Sequence, residues 1–257
     1  MTYMPGAEPF FHRGGSTGCL CLHGFSASPA EVRWLCLHLA QQGLTVYSPR
    51  LAGHGTHYRD LSRMRWSDWY HTALDGYHIL RQQCEQVFVA GLSMGGMLAL
   101  LLGASVPLDG LAVLAAPVVF RRRRMAAARY FKYIVPYTKQ PDRSRLPALI
   151  CEEQARRGEP VLGRVRYDAW STGAVGELYT LAQVVRSRLP QVTAPLLLVY
   201  SEADQTVPIE NAAIIAREVC SQIVEQHLLR NSEHILTQHV EREQVFALVA
   251  DFIARQK

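Results

Sequence analysis

The sequence contains no apolar stretch that approaches the roughly 18 residues needed for a membrane-spanning helix. It also contains no internal repeat and no low-complexity tract, which excludes solenoid and largely disordered proteins. The first residues lack a basic region followed by an apolar run, so no signal peptide is expected. Charged residues make up only 19% of the 257 residues and hydrophobic residues 49%, a composition typical of one large globular domain or a domain with an insertion.

Cysteine is present, but it has neither the spacing of a zinc site nor the density of a disulfide-stabilised protein. We expect the cysteines to act as small buried hydrophobic side chains. Cys19 and Cys21 alternate along a predicted strand and should share one of its faces. With no visible signal peptide, this usage indicates a protein of the reducing cytoplasm. The six cysteines are at positions 19, 21, 36, 84, 151 and 220.

The formal net charge is +5, and much of the excess is local, in the four consecutive arginines of residues 121–124. Such a run attracts anionic surfaces. No nucleic-acid-binding motif and no alternation of aromatic and basic residues accompanies it, so no nucleic-acid partner is expected. A solvated helix face is the simplest interpretation. A weak peripheral contact with anionic lipid, helped by Tyr130, Phe131 and Ile134, is the alternative.

Short apolar runs alternate with amphipathic segments along most of the chain. This alternation predicts strands joined by helices, as in βαβ units with a mostly parallel sheet. After the first of these strands, Ser28, Pro29 and Glu31 have the spacing of a capped helix start. The predicted strands are residues 19–22, 44–47, 87–90, 111–114, 195–200 and 223–229.

The alternation stops between residues 117 and 188, where prolines interrupt the chain and no buried strand is predicted. We therefore expect a core formed by residues 1–116 and 189–257, with residues 117–188 inserted as a helical cap. Ligands bind at the carboxyl ends of the strands in such sheets, so the cap should lie over the functional site. The helices expected within it are near residues 127–134, 149–157 and 175–185.

The chain is organised around Gly91-Leu92-Ser93-Met94-Gly95, a G-x-S-x-G pentapeptide. A predicted buried strand, residues 87–90, precedes it, and a strongly apolar helix follows from Met97. Strand, sharp turn and helix in this order form the context of a nucleophile elbow, which predicts Ser93 as a nucleophile. Gly91 and Gly95 are expected because a Cβ atom at either place would collide with the neighbouring strand or helix.

A serine nucleophile needs a base to take its proton and a carboxylate to orient that base. In a strand–turn–helix setting of this kind, the expected chain order is serine, acid, histidine. Asp204 follows the strong predicted strand at residues 195–200, and His234 lies in the loop before the last helix. Both therefore leave the same sheet edge as Ser93 and complete a predicted catalytic triad.

Each triad partner has rivals in the sequence. Asp204 is favoured because it comes shortly after a strand end and just before a predicted helix. His234 is favoured because its loop lies between the last strand and the final helix, within reach of the serine. The rivals are Glu202 and Asp109 for the acid, and His227 and His239 for the base.

The oxyanion formed during acyl transfer needs backbone N–H donors. We expect one from Met94, after the nucleophile, and one from Phe25, after the first central strand. The Phe25 ring should also line the substrate pocket, with His54 packed nearby. His54 and His57 have H-x-x-H spacing, but Gly55 breaks any helix there and no carboxylate accompanies them. No metal and no cofactor are predicted.

Four stretches beyond the triad carry a family resemblance. They are Leu22-His23-Gly24-Phe25 with Ser28-Pro29, Gly53-His54-Gly55-Thr56, Trp66-Ser67-Asp68-Trp69 and Gly91-Leu92-Ser93-Met94-Gly95-Gly96. With the contexts of Asp204 and His234, they make the chain resemble an α/β hydrolase from about residue 19 to the C-terminus. More narrowly, it resembles the small bacterial carboxylesterases and monoacylglycerol lipases.

The resemblance implies a small-molecule ester substrate, with a short- to medium-chain acyl group or a monoacylglycerol. Two features depart from the family pattern, namely the basic segment at residues 121–129 and Ala52 in place of an expected proline. Because the same fold and triad serve several chemistries, thioesterase, acyltransferase, peptidase and carbon–carbon hydrolase activities stay open. A non-catalytic ligand-binding module on this fold is a further alternative. The oligomeric state is not predicted.

Overall fold

The computed structural model describes residues 3–120, 135–141 and 144–256. The strands in these ranges are β1 Phe10–His12, β2 Thr17–Leu22, β3 Thr45–Ser48, β4 Gln86–Leu92, β5 Gly110–Leu114, β6 Tyr137–Lys139, β7 Ala169–Ser171, β8 Leu196–Ser201 and β9 Val224–Leu229. The helices are α1 Arg33–Gln41, α2 Tyr58–Leu61, α3 Trp66–Arg81, α4 Met94–Gly103, α5 Leu146–Arg156, α6 Thr172–Arg188, α7 Glu210–Glu218 and α8 Arg242–Arg255. Short 3₁₀ turns occur at Pro29–Glu31 and Leu189–Gln191.

Seven strands form one sheet in the order β1-β3-β2-β4-β5-β8-β9. All neighbouring pairs are parallel except β1 with β3, which is antiparallel. This is the α/β-hydrolase architecture expected from the sequence. Because the central strands are parallel, their carboxyl ends meet at one edge, and the loops that leave β2, β4, β8 and β9 converge there.

The sheet is buried on both faces, which explains why its central strands are continuous apolar runs. Leu20 and Val89 point into one core, with α3, α4 and α6, while Cys19 and Phe88 point into the other, with α1 and α8. Even α4, which is almost wholly apolar, has only ten residues. No helix in the described ranges is long and apolar enough to cross a membrane.

The cysteines follow their prediction only in part. The Sγ atoms of Cys19 and Cys21 lie 3.8 Å apart on one buried face of β2, as the alternation predicts. Cys36 and Cys84 are buried too, but Cys151 is partly exposed and Cys220 is exposed. The prediction of six buried cysteines is therefore wrong for the last two, which lie on outer segments of the chain.

The predicted cap at Ser28 does not form. Residues Pro29–Glu31 make a 3₁₀ turn, and α1 begins only at Arg33. The Ser28 hydroxyl makes no capping hydrogen bond and donates instead to the carbonyl of Val165, 3.1 Å away. Glu31 likewise accepts a hydrogen bond from elsewhere, the Gly24 N–H. Contacts outside the helix start, one of them with a residue 137 positions away, have replaced the local capping pattern.

Between β5 and β8 the structure contains α5, α6 and the small antiparallel pair β6–β7. The helices predicted near residues 149–157 and 175–185 are present as α5 and α6. The helix predicted near residues 127–134 lies outside the described residues. Leu178, Leu181 and Val185 of α6 join the same apolar core as α4, and this helix packs against α4 and α3, which cover one face of the sheet.

Candidate active site

Ser93 occupies a strained turn between β4 and α4. Its backbone angles are φ 56° and ψ −115°, in the left-handed half of φ space that residues other than glycine rarely adopt. The Ser93 N–H donates to the carbonyl of Leu114 at the end of β5, at 2.7 Å. This bond and the start of α4 at Met94 hold the turn, which has the form of a nucleophile elbow.

The two elbow glycines are required for the reason the sequence indicates. A Cβ atom on Gly91 would lie 2.1 Å from the carbonyl oxygen of Gly95. A Cβ atom on Gly95 would lie 2.1 Å from the carbonyl oxygen of Leu22, in β2. Backbone oxygens cannot yield to such a contact, so only glycine allows α4 to approach the sheet this closely.

The structure brings Ser93, His234 and Asp204 into one hydrogen-bonded chain. The Oγ atom of Ser93 lies 2.9 Å from Nε2 of His234, and Nδ1 of His234 lies 2.8 Å from Oδ2 of Asp204. Because the carboxylate can only accept, His234 carries its proton on Nδ1 and offers Nε2 to the serine hydroxyl. The Asp204 side chain is 1% exposed and that of His234 is 17% exposed.

Asp204 is held as an anion by its surroundings. Burial alone raises the pKa of this carboxyl, but the hydrogen bond and charge of His234 lower it, and the net pKa falls below its ordinary value. The N–H groups of Thr206 and Val207 donate to Oδ1 at 2.7 and 2.9 Å and lower the pKa further. These donors also fix the carboxylate so that Oδ2 faces the histidine.

The rival acids and histidines lie elsewhere. Asp109 accepts a hydrogen bond from the N–H of Val87, at the opposite end of β4 from Ser93. Glu202 is exposed. His227 lies within β9, where its Nε2 is 3.9 Å from the carboxylate of Glu225. His239 is buried, and its Nδ1 has no hydrogen-bond partner among the described residues.

The two expected oxyanion donors belong to segments that lie next to the serine. Met94 is the first residue of α4, so its N–H has no partner within the helix. Phe25 lies in the loop after β2, and no described residue accepts a hydrogen bond from its N–H. The loop lies close to the serine, since a Cβ atom built on Gly24 would be 3.6 Å from the Ser93 Cβ.

An aromatic cluster surrounds the Phe25 ring. His54, Trp69 and Trp170 meet it edge-on, with ring centroids 6.2, 5.9 and 5.8 Å away. His54 therefore packs near the site as predicted. Trp69 and Trp170 were not predicted as site residues. Trp69 belongs to the Trp66-Ser67-Asp68-Trp69 stretch, whereas no local pattern marks Trp170.

His54 is neutral and fully buried. Its Nδ1 lies 3.0 Å from the carbonyl of Ala52, to which it donates, and its Nε2 has no partner among the described residues. Burial, aided by the nearby His23, lowers its pKa well below the ordinary value. His57, the other member of the H-x-x-H pair, instead accepts a hydrogen bond from the N–H of Arg59 at the start of α2.

Residues 164–167 join the segment after β5 to the loops around the site. The Val165 carbonyl accepts the Ser28 hydroxyl, and the Tyr167 N–H donates to the carbonyl of Ser26 at 2.9 Å. The Tyr167 hydroxyl donates to the carbonyl of Gly53, also at 2.9 Å. The loop carrying Phe25 and the loop carrying His54 are thus both tied to this one short stretch.

Comparison with known proteins agrees with this geometry. Residues 17–241 match the sequence profile of the family described as serine aminopeptidase, S33. The thermostable monoacylglycerol lipase of Bacillus sp. (strain H-257) is 32% identical over 259 residues, covering 98% of this chain and 96% of the relative. The carboxylesterase of Bacillus subtilis (strain 168) is 28% identical over 249 residues, covering 96% of each.

Solved structures show the same fold. A structure from work on the metagenome-derived lipolytic enzymes LipS and LipT superposes with a TM-score of 0.88 at 28% identity, covering 99% of this chain and 100% of the other. The monoacylglycerol lipase of Paleococcus ferrophilus superposes with a TM-score of 0.76 at 14% identity, covering 97% and 100%. The chain therefore belongs to the family described as serine aminopeptidase, S33, and is an α/β hydrolase of the lipase and esterase type.

Proposed function

We propose that this enzyme hydrolyses carboxylic esters with short- to medium-chain acyl groups, monoacylglycerols among them, through an acyl-enzyme on Ser93. The observation that carries the proposal is the unbroken chain from Ser93 through His234 to Asp204, with contacts of 2.9 and 2.8 Å. The substrate class is supported by the two bacterial relatives, which are a monoacylglycerol lipase and a carboxylesterase.

In the first half of the reaction, Ser93 attacks the ester carbonyl while His234 takes the serine proton. The N–H groups of Met94 and Phe25 hold the oxyanion, and Asp204 stabilises the imidazolium. His234 then gives its proton to the leaving alcohol as the carbon–oxygen bond breaks, which leaves Ser93 acylated. In the second half, water loses a proton to His234 and attacks the acyl carbonyl. His234 then returns that proton to the Ser93 Oγ atom as the acyl–serine bond breaks, which releases the acid and restores both side chains.

We infer that residues 117–188 form a cap that shapes the pocket for the acyl group. Trp170 of β7 packs against Phe25, and Tyr167 binds the loop that carries His54. The Phe25 ring and His54 would then line the substrate beside the nucleophile. Acyl-chain preference should follow from this segment, because the triad itself does not discriminate chain length.

The basic run at residues 121–124 belongs to the same segment and lies outside the described residues. We infer from its charge that it brings the enzyme weakly to anionic lipid, where amphiphilic esters gather. Sedimentation with vesicles tests this inference: binding should rise with the anionic lipid fraction and fall with salt. Binding that depends on neither the anionic lipid fraction nor the salt concentration would contradict it.

Six free cysteines support a reducing, cytoplasmic setting for the enzyme.

The family description names a peptidase, so peptide hydrolysis is the main alternative. An aminopeptidase needs an unengaged carboxylate near the nucleophile to bind the substrate ammonium group. Within the part of the chain that the structure describes, the two buried carboxylates close to Ser93 are both engaged: Asp204 accepts from His234, and Glu31 accepts from Gly24 and faces Arg164. Ester hydrolysis needs no such anchor and fits the site better.

The proposal is tested with p-nitrophenyl esters of increasing acyl length, a monoacylglycerol and an aminoacyl p-nitroanilide. We expect turnover of the esters and little of the anilide. Ser93→Ala should abolish ester turnover and labelling by a fluorophosphonate, with the fold intact by circular dichroism. Retained turnover in Ser93→Ala, or preference for the anilide, would refute the proposal. A wild-type protein that neither labels nor turns over would be a binding module instead.

A further inference from the structure

Two buried side chains hold the peptide groups on either side of Gly24. A carboxylate oxygen of Glu31 accepts a hydrogen bond from the Gly24 N–H at 2.8 Å. On the other side, Nδ1 of His23 lies 2.9 Å from the Gly24 carbonyl, to which it donates. Both residues are almost completely buried: Glu31 is 5% exposed and His23 is 0% exposed.

The His23 bond acts on the peptide group that contains the Phe25 N–H. A trans peptide is planar, and its C=O and N–H point in opposite directions. Fixing the Gly24 carbonyl therefore fixes the direction of the Phe25 N–H. The His23 ring cannot turn away, because its Nε2 accepts the N–H of Leu51 at 3.2 Å. Burial lowers the pKa of His23 to about 4, so the ring stays neutral and keeps both roles.

The hydrogen bond from the Gly24 N–H to Glu31 fixes the peptide group between His23 and Gly24. The Glu31 carboxylate also forms an ion pair with Arg164, in which the closest nitrogen and oxygen are 3.6 Å apart. The carbonyl of Glu31 accepts the Thr237 hydroxyl at 2.6 Å, which ties its 3₁₀ turn to the loop after His234. Gly24 fits against the carboxylate only without a side chain, since a Cβ atom there would be 2.7 Å from Oε2 of Glu31.

We propose that Glu31 and His23 are positioning residues that hold the peptide groups of Gly24 and so direct the Phe25 N–H to the oxyanion. The inference rests on the proposed function, in which Phe25 supplies one oxyanion donor. Neither side chain touches the reacting atoms. Their effect should therefore appear in the transition state, where the oxyanion has formed, and not in substrate binding.

The test compares Glu31→Leu, which removes the acceptor, with Glu31→Gln, which retains one. Losing an oxyanion donor outright costs about 10²–10³-fold in kcat, so a misdirected donor should cost about tenfold or more. For Glu31→Leu we expect kcat on p-nitrophenyl butyrate to fall by about tenfold or more, while KM stays within about twofold of the wild-type value. Affinity for an alkyl trifluoromethyl ketone, which forms a tetrahedral oxyanion on the serine, should fall by a similar factor.

Glu31→Gln should recover most of the activity, because its amide oxygen can still accept from Gly24. His23→Phe keeps an aromatic ring, removes both hydrogen bonds and should mimic Glu31→Leu. Tyr77→Phe is the matched control, since it removes a partly buried hydrogen bond to the Pro107 carbonyl at the far end of the sheet. It should lower the melting temperature and leave kcat and inhibitor affinity unchanged.

Unchanged kcat in Glu31→Leu would overturn the inference. A loss of kcat in Glu31→Gln as large as that in Glu31→Leu would overturn it too, because the effect would then come from the charge of Glu31 and not from its hydrogen bond. A loss of kcat with no change in ketone affinity would overturn it as well. None of these results bears on the proposed function, which the Ser93→Ala variant and the comparison of esters with the anilide test separately. If Glu31→Leu does not fold, the comparison of Glu31→Gln with His23→Phe decides the matter by the same two readouts.

Discussion

The hydroxyl of Tyr167 donates to the carbonyl of Gly53 at 2.9 Å, which joins two loops that lie far apart in the sequence. The same oxygen accepts the N–H of Thr56, also at 2.9 Å. One phenol thus satisfies both ends of the turn that carries His54. This single side chain connects the proposed cap with the wall of the proposed pocket.

Tyr167→Phe should consequently destabilise the protein. The change leaves a carbonyl and an N–H without their partner, and such losses cost about 1–3 kcal/mol each when buried. In a chain of this size each kcal/mol lowers the melting temperature by about 2–4 °C. Thermal unfolding followed by circular dichroism measures the shift. Tyr77→Phe, which loses one hydrogen bond, should shift less, and an equal or larger shift there would contradict the bridging role of Tyr167.

Gly95→Ala should abolish activity with a large loss of stability. The added Cβ atom would meet the Leu22 carbonyl oxygen at 2.1 Å, so α4 and β2 must move apart and the Ser93 turn must move with them. Ester turnover and the melting temperature measure both effects. Gly43→Ala is the matched control, because Gly43 also lies in a turn but has nothing within 4 Å of the added atom. It should keep full turnover despite its positive φ. Normal activity in Gly95→Ala would contradict this account of the elbow.

Six of the seven strands of the main sheet, all but the short edge strand β1, and the Ser93–Asp204–His234 constellation could be predicted from the sequence because their signals are local. A buried strand is a continuous apolar run, and the elbow is a five-residue pattern whose glycines are dictated by the close approach of the turn and its helix to the sheet. Asp204 and His234 needed only chain order and the rule that parallel strands end at one edge. Local chemistry thus determines most of the proposed site.

The features that sequence reasoning missed depend on contacts outside the local pattern, most of them between residues far apart in the sequence. Ser28 has an ideal spacing for a helix cap, but its hydroxyl donates to Val165. Glu31 has the spacing of a capping partner, yet it holds Gly24. Trp170 meets Phe25 only because the chain folds back over the sheet. A tertiary contact that satisfies the same polar group can outcompete a local one, and no short pattern reveals it.

The Glu153 carboxylate lies among three arginines where α5 meets α8, and this cluster predicts how the stability of the protein depends on pH. Glu153 is buried and accepts hydrogen bonds from Arg156 and Arg157, each at a closest distance of 2.5 Å, and it forms an ion pair with Arg242 at 2.7 Å. The hydrogen bond from Arg156 is the largest influence that lowers its pKa from an ordinary 4.5 to about 2. The folded state thus binds fewer protons than the unfolded state between these values. The stabilisation is complete above the ordinary pKa and is lost as the pH falls toward 2.

Glu153→Gln should therefore lower the melting temperature most at neutral pH. The difference from wild type should stay constant above about pH 5.5 and shrink as the pH falls through the range between the two pKa values. Glu152→Gln is the matched control, since Glu152 lies next to it on α5 but is exposed. It should change little at any pH. A Glu153→Gln difference that persists undiminished at pH 2 to 3 would contradict the assignment.

Asp204→Asn tests whether the buried carboxylate governs the histidine. The N–H groups of Thr206 and Val207 can still bind the amide oxygen, so the side chain should stay in place. Its NH₂ group would then face His234, which forces the proton onto Nε2 and removes the acceptor for the Ser93 hydroxyl. In the serine-protease triad this exchange costs about 10⁴-fold in kcat, and a loss of that order is expected here.

The matched variant for this test is Asp109→Asn, because Asp109 also accepts a backbone N–H but lies at the opposite end of β4. It should leave kcat unchanged while lowering stability modestly. Steady-state turnover of p-nitrophenyl butyrate and thermal unfolding of both variants give the comparison. If the kcat of Asp204→Asn stays within about tenfold of the wild-type value, the loss is far smaller than that expected for a triad acid. The carboxylate then orients no group that the reaction needs. Asp204 would then be a structural turn residue, and another group would have to hold His234.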